Sequence, residues 1–179
     1  MRHAFDQYLM TDLHDSMSEG QRARLAGSAV SFSVADVQSL SWDAGTFDRV
    51  VNTCLLHHVP DPELALLEIR RVIKDGGRAD IFGSSDPGGL FRLARALGPA
   101  LAARRVHLAE VKRLVDARDH RNHVGGLRRL VRHVFRHDLF EERTYPVRGL
   151  SWNFSMWHTF RITKGSLPTP KHGRADPAS

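Results

Sequence analysis

Two acids close apolar runs in this chain. Asp12 ends Tyr8-Leu-Met-Thr, and Asp36 follows a stretch in which Val30, Phe32 and Val34 alternate with Ser31, Ser33 and Ala35. Carboxylates at such positions can be acceptors held at a sheet edge, where open α/β sheets bind ligands; the alternative for each is a loop residue or a helix cap. His57 and His58 are adjacent, and an imidazole titrating near neutrality can serve as a general base; the alternative is a packing role beside a helix. His133 and His137 stand one helical turn apart, just after His120 and His123, a spacing that can face one ion. They have no Cys partner and sit among basic residues, so the expectation is a solvated basic face and no metal. Arg104, Arg105, Arg113, Arg118, Arg121, Arg128, Arg129, Arg132 and Arg136 form either such a face or a bidentate clamp for a carboxylate or phosphate. Cys54 is the single cysteine, which excludes an internal disulfide framework and a Cys-rich zinc site.

The elements that must position these groups read as alternating strands and helices. Tyr8–Asp12 is a short strand, 17–28 a short helix closed near Gly27, the stretch from Val30 a half-buried strand that ends at Asp36, and Phe47–Thr53 a third strand. Asp61-Pro62 starts a helix: the acid caps free N–H groups, and proline fits the first turn. Leu64, Leu67, Ile69, Val72 and Ile73 are its expected apolar face and Gly76-Gly77 its expected stop, with a strand over Ala79–Gly83. Strand, helix and strand with a buried central run read as a parallel crossover. Residues 88–118 are helical in pattern with a break at Gly98-Pro99, and 125–136 carries Leu127, Leu130, Val131, Val134 and Phe135 on one face. Leu139–Val147 and Trp152–Thr163 then read as two strands, an antiparallel pair closing a mostly parallel sheet. In the second, Trp152, Phe154, Met156, His158, Phe160 and Ile162 are expected to point one way.

Size and composition bound the rest. The chain has 179 residues, 41% hydrophobic and 26% charged, with a net charge of +6, an ordinary globular mix for one domain or two. No apolar run reaches membrane-span length, and the first residues lack the apolar core of a secretory signal, so cytoplasmic localisation is expected. The basic charge is almost all arginine, 22 against 4 lysines, a bias that GC-rich codon usage produces and that also suits a nucleic-acid partner. Oligomeric state does not follow from the sequence.

Three stretches together resemble the class I S-adenosylmethionine-dependent methyltransferases of the type 11 group. They are Thr11-Asp12-Leu13-His14, then Phe32-Ser-Val-Ala-Asp36-Val37 with Leu40, and the long run from Gly45-Thr-Phe-Asp48 through Asn52-Thr-Cys-Leu-Leu-His57-His58-Val-Pro-Asp61 to Gly76-Gly77. The resemblance covers residues 8–163. It implies an α/β, Rossmann-like, mostly parallel sheet with helices on both faces and a C-terminal antiparallel strand pair, and S-adenosyl-L-methionine as cofactor. It further implies that Asp12, with Leu13 beside it, accepts from the ribose hydroxyls. Asp36 would accept from the adenine amino group with the Val37 backbone alongside, and Asn52 and Thr53 would line the methionine end. Methyl transfer from a sulfonium needs mostly positioning, so His57 and His58 are weak catalytic candidates.

The family's first strand and its Gly-rich loop should precede Asp12 by about twenty residues, whereas eleven residues precede it here, none of them glycine. The expectation is a methyltransferase-like domain over 1–164, N-terminally incomplete, with 84–137 a helical segment covering the substrate and 165–179 a disordered tail. A late-assigned start, a gene fragment, a strand from a second chain, and closure of the flanking strands into a smaller sheet are the competing explanations. The function implied is methyl transfer to a small molecule, possibly anionic. The alternatives are a degenerate non-catalytic domain and a nucleic-acid methyltransferase with salt-sensitive affinity.

Overall fold

A computed structural model describes residues 5–15, 17–94, 121–149 and 151–165. The expected kink at Gly98-Pro99, the arginines from Arg104 to Arg118, His120 and almost all of the expected tail lie outside them.

The described strands form two sheets. In the first, β1 (Tyr8–Asp12) and β2 (Val30–Val34) pair in parallel from Tyr8↔Val30 to Asp12↔Val34. They are joined through α1 (Glu19–Leu25), whose start is a reciprocal cap: Ser18 accepts from the Gln21 backbone N–H while the Gln21 side chain accepts from the Ser18 N–H. The second sheet has the order β3 (Phe47–Thr53), β4 (Ile73–Ser84), β6 (Trp157–Thr163), β5 (Leu139–Tyr145). β3 runs parallel to β4, and β6 runs antiparallel to both β4 and β5, so the reversed strand pair is where the sequence places it. β1 and β3 share no ladder, so the flanking strands have not closed into one smaller sheet.

The core lies between the second sheet and two helices, α2 (Pro62–Val72) and α3 (Val124–Val134). Asp61 caps α2 by accepting from the Leu64 N–H at 3.0 Å. The buried face of α2 is Ala65, Leu66, Ile69 and Val72, whereas Leu64 and Leu67 are exposed, which corrects the expected face. At helical pitch the buried four share one arc and the two leucines project from the far side. α3 meets them with Leu127 and Val131, while Ile81, Phe160 and Ile162 rise from the sheet.

Several element boundaries also differ from expectation: β2 ends at Val34 before Asp36, β4 starts at Ile73 instead of Ala79, and β5 ends at Tyr145 instead of Val147. α2 ends at Val72, before the glycines, because Ile73 is drawn into the ladder opposite Phe47 and buried. The glycines instead build an irregularity: Phe47 pairs with Ile73 and Arg49 with Arg78, so two steps on β3 span five on β4. Gly77 is required there, since a Cβ would lie 2.8 Å from Ile73 Cγ2 and 2.9 Å from the Lys74 carbonyl oxygen. At the other end, Trp152–Phe154 is a short 3₁₀ turn capped by Ser151 rather than strand, and β6 begins only at Trp157. Its apolar alternation survives in His158, Phe160 and Ile162, all buried.

The loop from β2 to β3 is bound to α2 by one ion pair. Arg71 donates to Glu68 and to the carbonyl oxygens of Leu40 and Trp42, while Glu68 accepts from the Leu40 N–H. Leu66→Ala should therefore lower the free energy of unfolding by about 2–5 kcal/mol, and Leu67→Ala by less than about 1 kcal/mol. Urea denaturation of both variants measures the difference, and equal losses would disprove the assigned face.

Candidate functional site

The parallel strands β3, β4 and β5 end on one edge of their sheet, at Thr53, Ser84 and Tyr145. β1 and β2 likewise run in parallel towards Asp12 and Asp36. Asp12 is exposed, and its Oδ1 accepts from the His14 N–H at 3.2 Å; Leu13 beside it is exposed as well. The Asp12 carbonyl accepts from the Ala35 N–H, which holds the ends of β1 and β2 together.

Asp36 is half-buried. Its Oδ1 accepts from the Gln38 backbone N–H at 2.9 Å and from Gln38 Nε2 at 3.3 Å, and Gln38 Oε1 in turn accepts from the Asp61 N–H at 2.8 Å. This chain of bonds ties the end of β2 to the start of α2, and Val37 packs on the core between them. Asn52 is buried at 6% exposure, and its Oδ1 has no hydrogen-bond partner. A buried acceptor without a donor is costly, and it suits a cationic or N–H-bearing ligand. Thr53 is exposed. Beyond it Cys54 adopts φ 54°, a left-handed turn that redirects the chain while its N–H still reaches the Phe82 carbonyl at 2.8 Å.

The two histidines have different surroundings. His57 is 3% exposed, and its Nε2 lies 3.1 Å from the Ser84 carbonyl oxygen and 3.5 Å from Ser84 Oγ. Its backbone is pinned from the other side, where the Arg121 and Asn122 N–H groups donate to the His57 carbonyl and Asn122 Nδ2 donates to Leu56 and Val59. His58 is exposed. Sequence reasoning missed the partner of His57, which is His158, with ring centroids 6.2 Å apart. Gly83 makes the pairing possible: a Cβ there would stand 2.8 Å from His57 Cε1 and 3.1 Å from His158 Cε1. The only sequence signal was His158 on the apolar side of β6.

Burial, and next the charge of His57, push the His158 imidazole down to about 4. Its Nδ1 is buried without a partner. The arginines of α3 also have an internal purpose. Arg128 and Arg132 both donate to Glu142, so the carboxylate they clamp is the chain's own. Burial works to raise the Glu142 carboxyl, but the two guanidiniums hold it below its usual range. His133 and His137 are exposed, and no group of three metal-binding side chains occurs among the described residues.

The histidine pair has a pH signature. Because folding depresses the His158 pKa, its contribution is complete above about 6.5 and is lost as pH falls towards 4. The loss is on the order of 3 kcal/mol by the linkage relation. Urea denaturation between pH 7 and pH 4 should show this component in the parent chain and lose it in His158→Phe; an unchanged pH slope in that variant would exclude the assignment.

Residues 1–81 match the model of a methyltransferase domain family. A demethylmenaquinone methyltransferase from Clavibacter sepedonicus is 40% identical over 77 residues, which is 42% of this chain and 31% of that protein. The ubiquinone/menaquinone biosynthesis C-methyltransferase UbiE of Desulfotalea psychrophila is 33% identical over 76 residues, again 42% of this chain and 31% of the relative. The chain thus spans about a third of the length of the curated relatives it matches. Among solved structures, an S-adenosylmethionine-dependent methyltransferase from Mesorhizobium loti superposes with a TM-score of 0.61 at 15% identity, covering 89% of this chain and 81% of the other. Phosphoethanolamine N-methyltransferase 2 of Haemonchus contortus, solved with S-adenosyl-L-methionine, gives 0.63 at 15% identity over 89% of this chain and 44% of the other. At these identities the superpositions speak for the fold, and the sequence matches speak for the first half of the chain. Together they show that residues 1–81 resemble a methyltransferase domain and that the chain shares the fold of S-adenosylmethionine-dependent methyltransferases.

Proposed function

We propose that the chain binds S-adenosyl-L-methionine at the carboxyl ends of β1, β2 and β3 and transfers its methyl group to a small molecule. The observation that carries this reading is the acceptor character of these strand ends. In the first sheet Asp12 ends β1 and Asp36 lies two residues beyond β2; in the second, Asn52 Oδ1, the buried side-chain oxygen without a partner among the described residues, lies one residue from the end of β3. These residues fit the group. Asp12 would accept from the vicinal hydroxyls of a ribose, with Leu13 beside it, and Asp36 from the adenine amino group, with Val37 alongside. Asn52 Oδ1 would accept from the ammonium of the methionine end, and Thr53 would border it.

The cofactor supplies an activated methyl on a sulfonium, so the chain's own task is to orient the acceptor and exclude water. His57 is poorly placed to act as a base, because it is buried and its Nε2 is held against Ser84. His58, being exposed, remains the candidate for proton removal. The relatives named for quinone biosynthesis support a ring-bearing acceptor methylated at carbon.

Calorimetric titration with S-adenosylhomocysteine tests the binding half directly. Micromolar affinity is expected, with Asp12→Ala and Asn52→Leu each weakening it about tenfold or more, equivalent to about 1.4 kcal/mol. A folded, monodisperse chain that takes up no ligand would refute the reading.

A further inference from the structure

We propose that the open face of the second sheet binds a single-stranded nucleic acid, whose phosphates are held by Arg49, Arg78 and Arg161. The proposal goes beyond the methyl-transfer reading and does not depend on it: the site uses none of Asp12, Asp36 and Asn52. Strand register fixes which side chains share this face. Arg49 stands level with Arg78, and Asp80 with Arg161. Further along the strands Phe82 is level with Thr159 and Arg143, and Trp157 with Tyr145. All of these are exposed or half-buried, whereas Ala79, Ile81, Phe160 and Ile162 on the opposite face are buried beneath α2 and α3.

One acid stands among three arginines on this face. Arg49 Nε donates to Asp80 Oδ2 at 2.7 Å, Arg78 Nε to the same oxygen at 3.0 Å, and Arg161 Nε to Oδ1 at 3.3 Å. Three guanidiniums carry several times the donors that one carboxylate can accept. Asp80 cannot satisfy them all, but it holds each by Nε and so fixes the forks before a ligand arrives. Arg49 and Arg78 are direct cross-strand partners, and like charges so placed repel. A phosphate between them would relieve that repulsion and match the planar forks bidentately. With Arg143, which pairs with Glu141, each of the four strands supplies an arginine to this face.

Stacking surface lies beside the cations. Phe82 and Trp157 stack with centroids 5.3 Å apart and planes 20° from parallel, and Tyr145, the ladder partner of Trp157, is 65% exposed. The rings begin one row beyond Asp80 and Arg161, about 7 Å along the strands. A four-stranded sheet with helices behind it and its other face open lets bases lie on aromatic side chains while the backbone follows the cations. Four strands are about 15 Å wide, more than the roughly 12 Å of a major groove, which favours a single strand over a duplex. An acidic polypeptide would answer the arginines but would leave the rings without a stacking partner.

Fluorescence anisotropy of the whole chain with a fluorescein-labelled oligothymidine of about 15 nucleotides tests the proposal, with circular dichroism as the folding control. Micromolar affinity is expected in about 0.05 M salt, falling roughly tenfold by about 0.2 M as counterions leave two or three neutralised phosphates. Arg49→Gln and Arg161→Gln should each weaken binding about threefold or more and flatten the salt dependence. Tyr145→Leu should weaken it about fivefold at every salt concentration. Arg24→Gln, which removes an exposed arginine on α1, should change nothing. The site is overturned if the folded parent chain does not bind the oligomer, if Arg24→Gln costs as much as Arg49→Gln, or if Tyr145→Leu leaves affinity unchanged. Displacement of the oligomer by poly-L-glutamate at equal charge concentration would also overturn it, in favour of an acidic polypeptide. Saturating S-adenosylhomocysteine should leave oligomer affinity unaltered, and competition between the two would overturn the separate site. Failure of S-adenosylhomocysteine to bind at all would count against the methyl-transfer reading and leave this site standing.

Discussion

Strand β4 is the constraint on which the rest depends. It carries β3 in parallel on one edge and β6 antiparallel on the other, and its alternation sorts the molecule into two faces. Ile81 lies level with Asn52 and Phe160 on the face that α2 and α3 cover, while Phe82 lies level with Thr53 and Thr159 on the other. A slip of one residue would exchange the faces, burying Phe82 and Thr159 and exposing Ile81 and Phe160. The insertion at Gly76-Gly77 and the close packing at Gly83 hold the register at opposite ends of the strand. At Gly83 two imidazoles occupy the space of a missing side chain, which joins the loop after β3 to β6 and so aligns three elements at the edge where ligands would sit.

Charge in this chain is spent internally more than its composition suggests. Arg71 brackets the loop that carries Asp36, Arg70 pairs with the buried carboxylate of Asp138, and Arg128 and Arg132 enclose Glu142. Each arginine brings several donors in a planar fork, so one side chain can satisfy a carboxylate and neighbouring carbonyls together. The formal charge of +6 is therefore a weak guide to partners.

The bounds of β1 and β3 and the start of β2 were legible because their apolar pattern is local, whereas β2 stops at Val34, two residues before the acid expected to end it. The start of α2 was legible because Asp61-Pro62 carries its own capping chemistry. What could not be read depended on distant partners. Leu64 and Leu67 are as apolar as Leu66, and only the positions of α3 and the sheet decide which of them is buried. Trp152, Phe154 and Met156 alternate like a strand, yet Ser151 caps a turn there and Ser155 is buried against Ser85, a contact made 70 residues away. In sequence His57 read as a base or as a packing residue beside a helix; the Ser84 carbonyl, Gly83 and His158 that define it are contributed by other strands. Asp12, Asp36, Asn52 and Thr53 were named by resemblance, and the orphaned Asn52 oxygen is the one structural feature of that set that no sequence pattern announces.

The central claim, that the carboxyl ends of β1, β2 and β3 together hold S-adenosyl-L-methionine, is tested most directly by amide chemical shifts. A ¹⁵N-labelled chain titrated with S-adenosylhomocysteine should show its largest perturbations at the backbone amides of Leu13, Val37 and Thr53 and at the side-chain amide of Asn52, with the amides of α3 unmoved. Saturable shifts confined to other surfaces, or none at all in a well-dispersed spectrum, would contradict it.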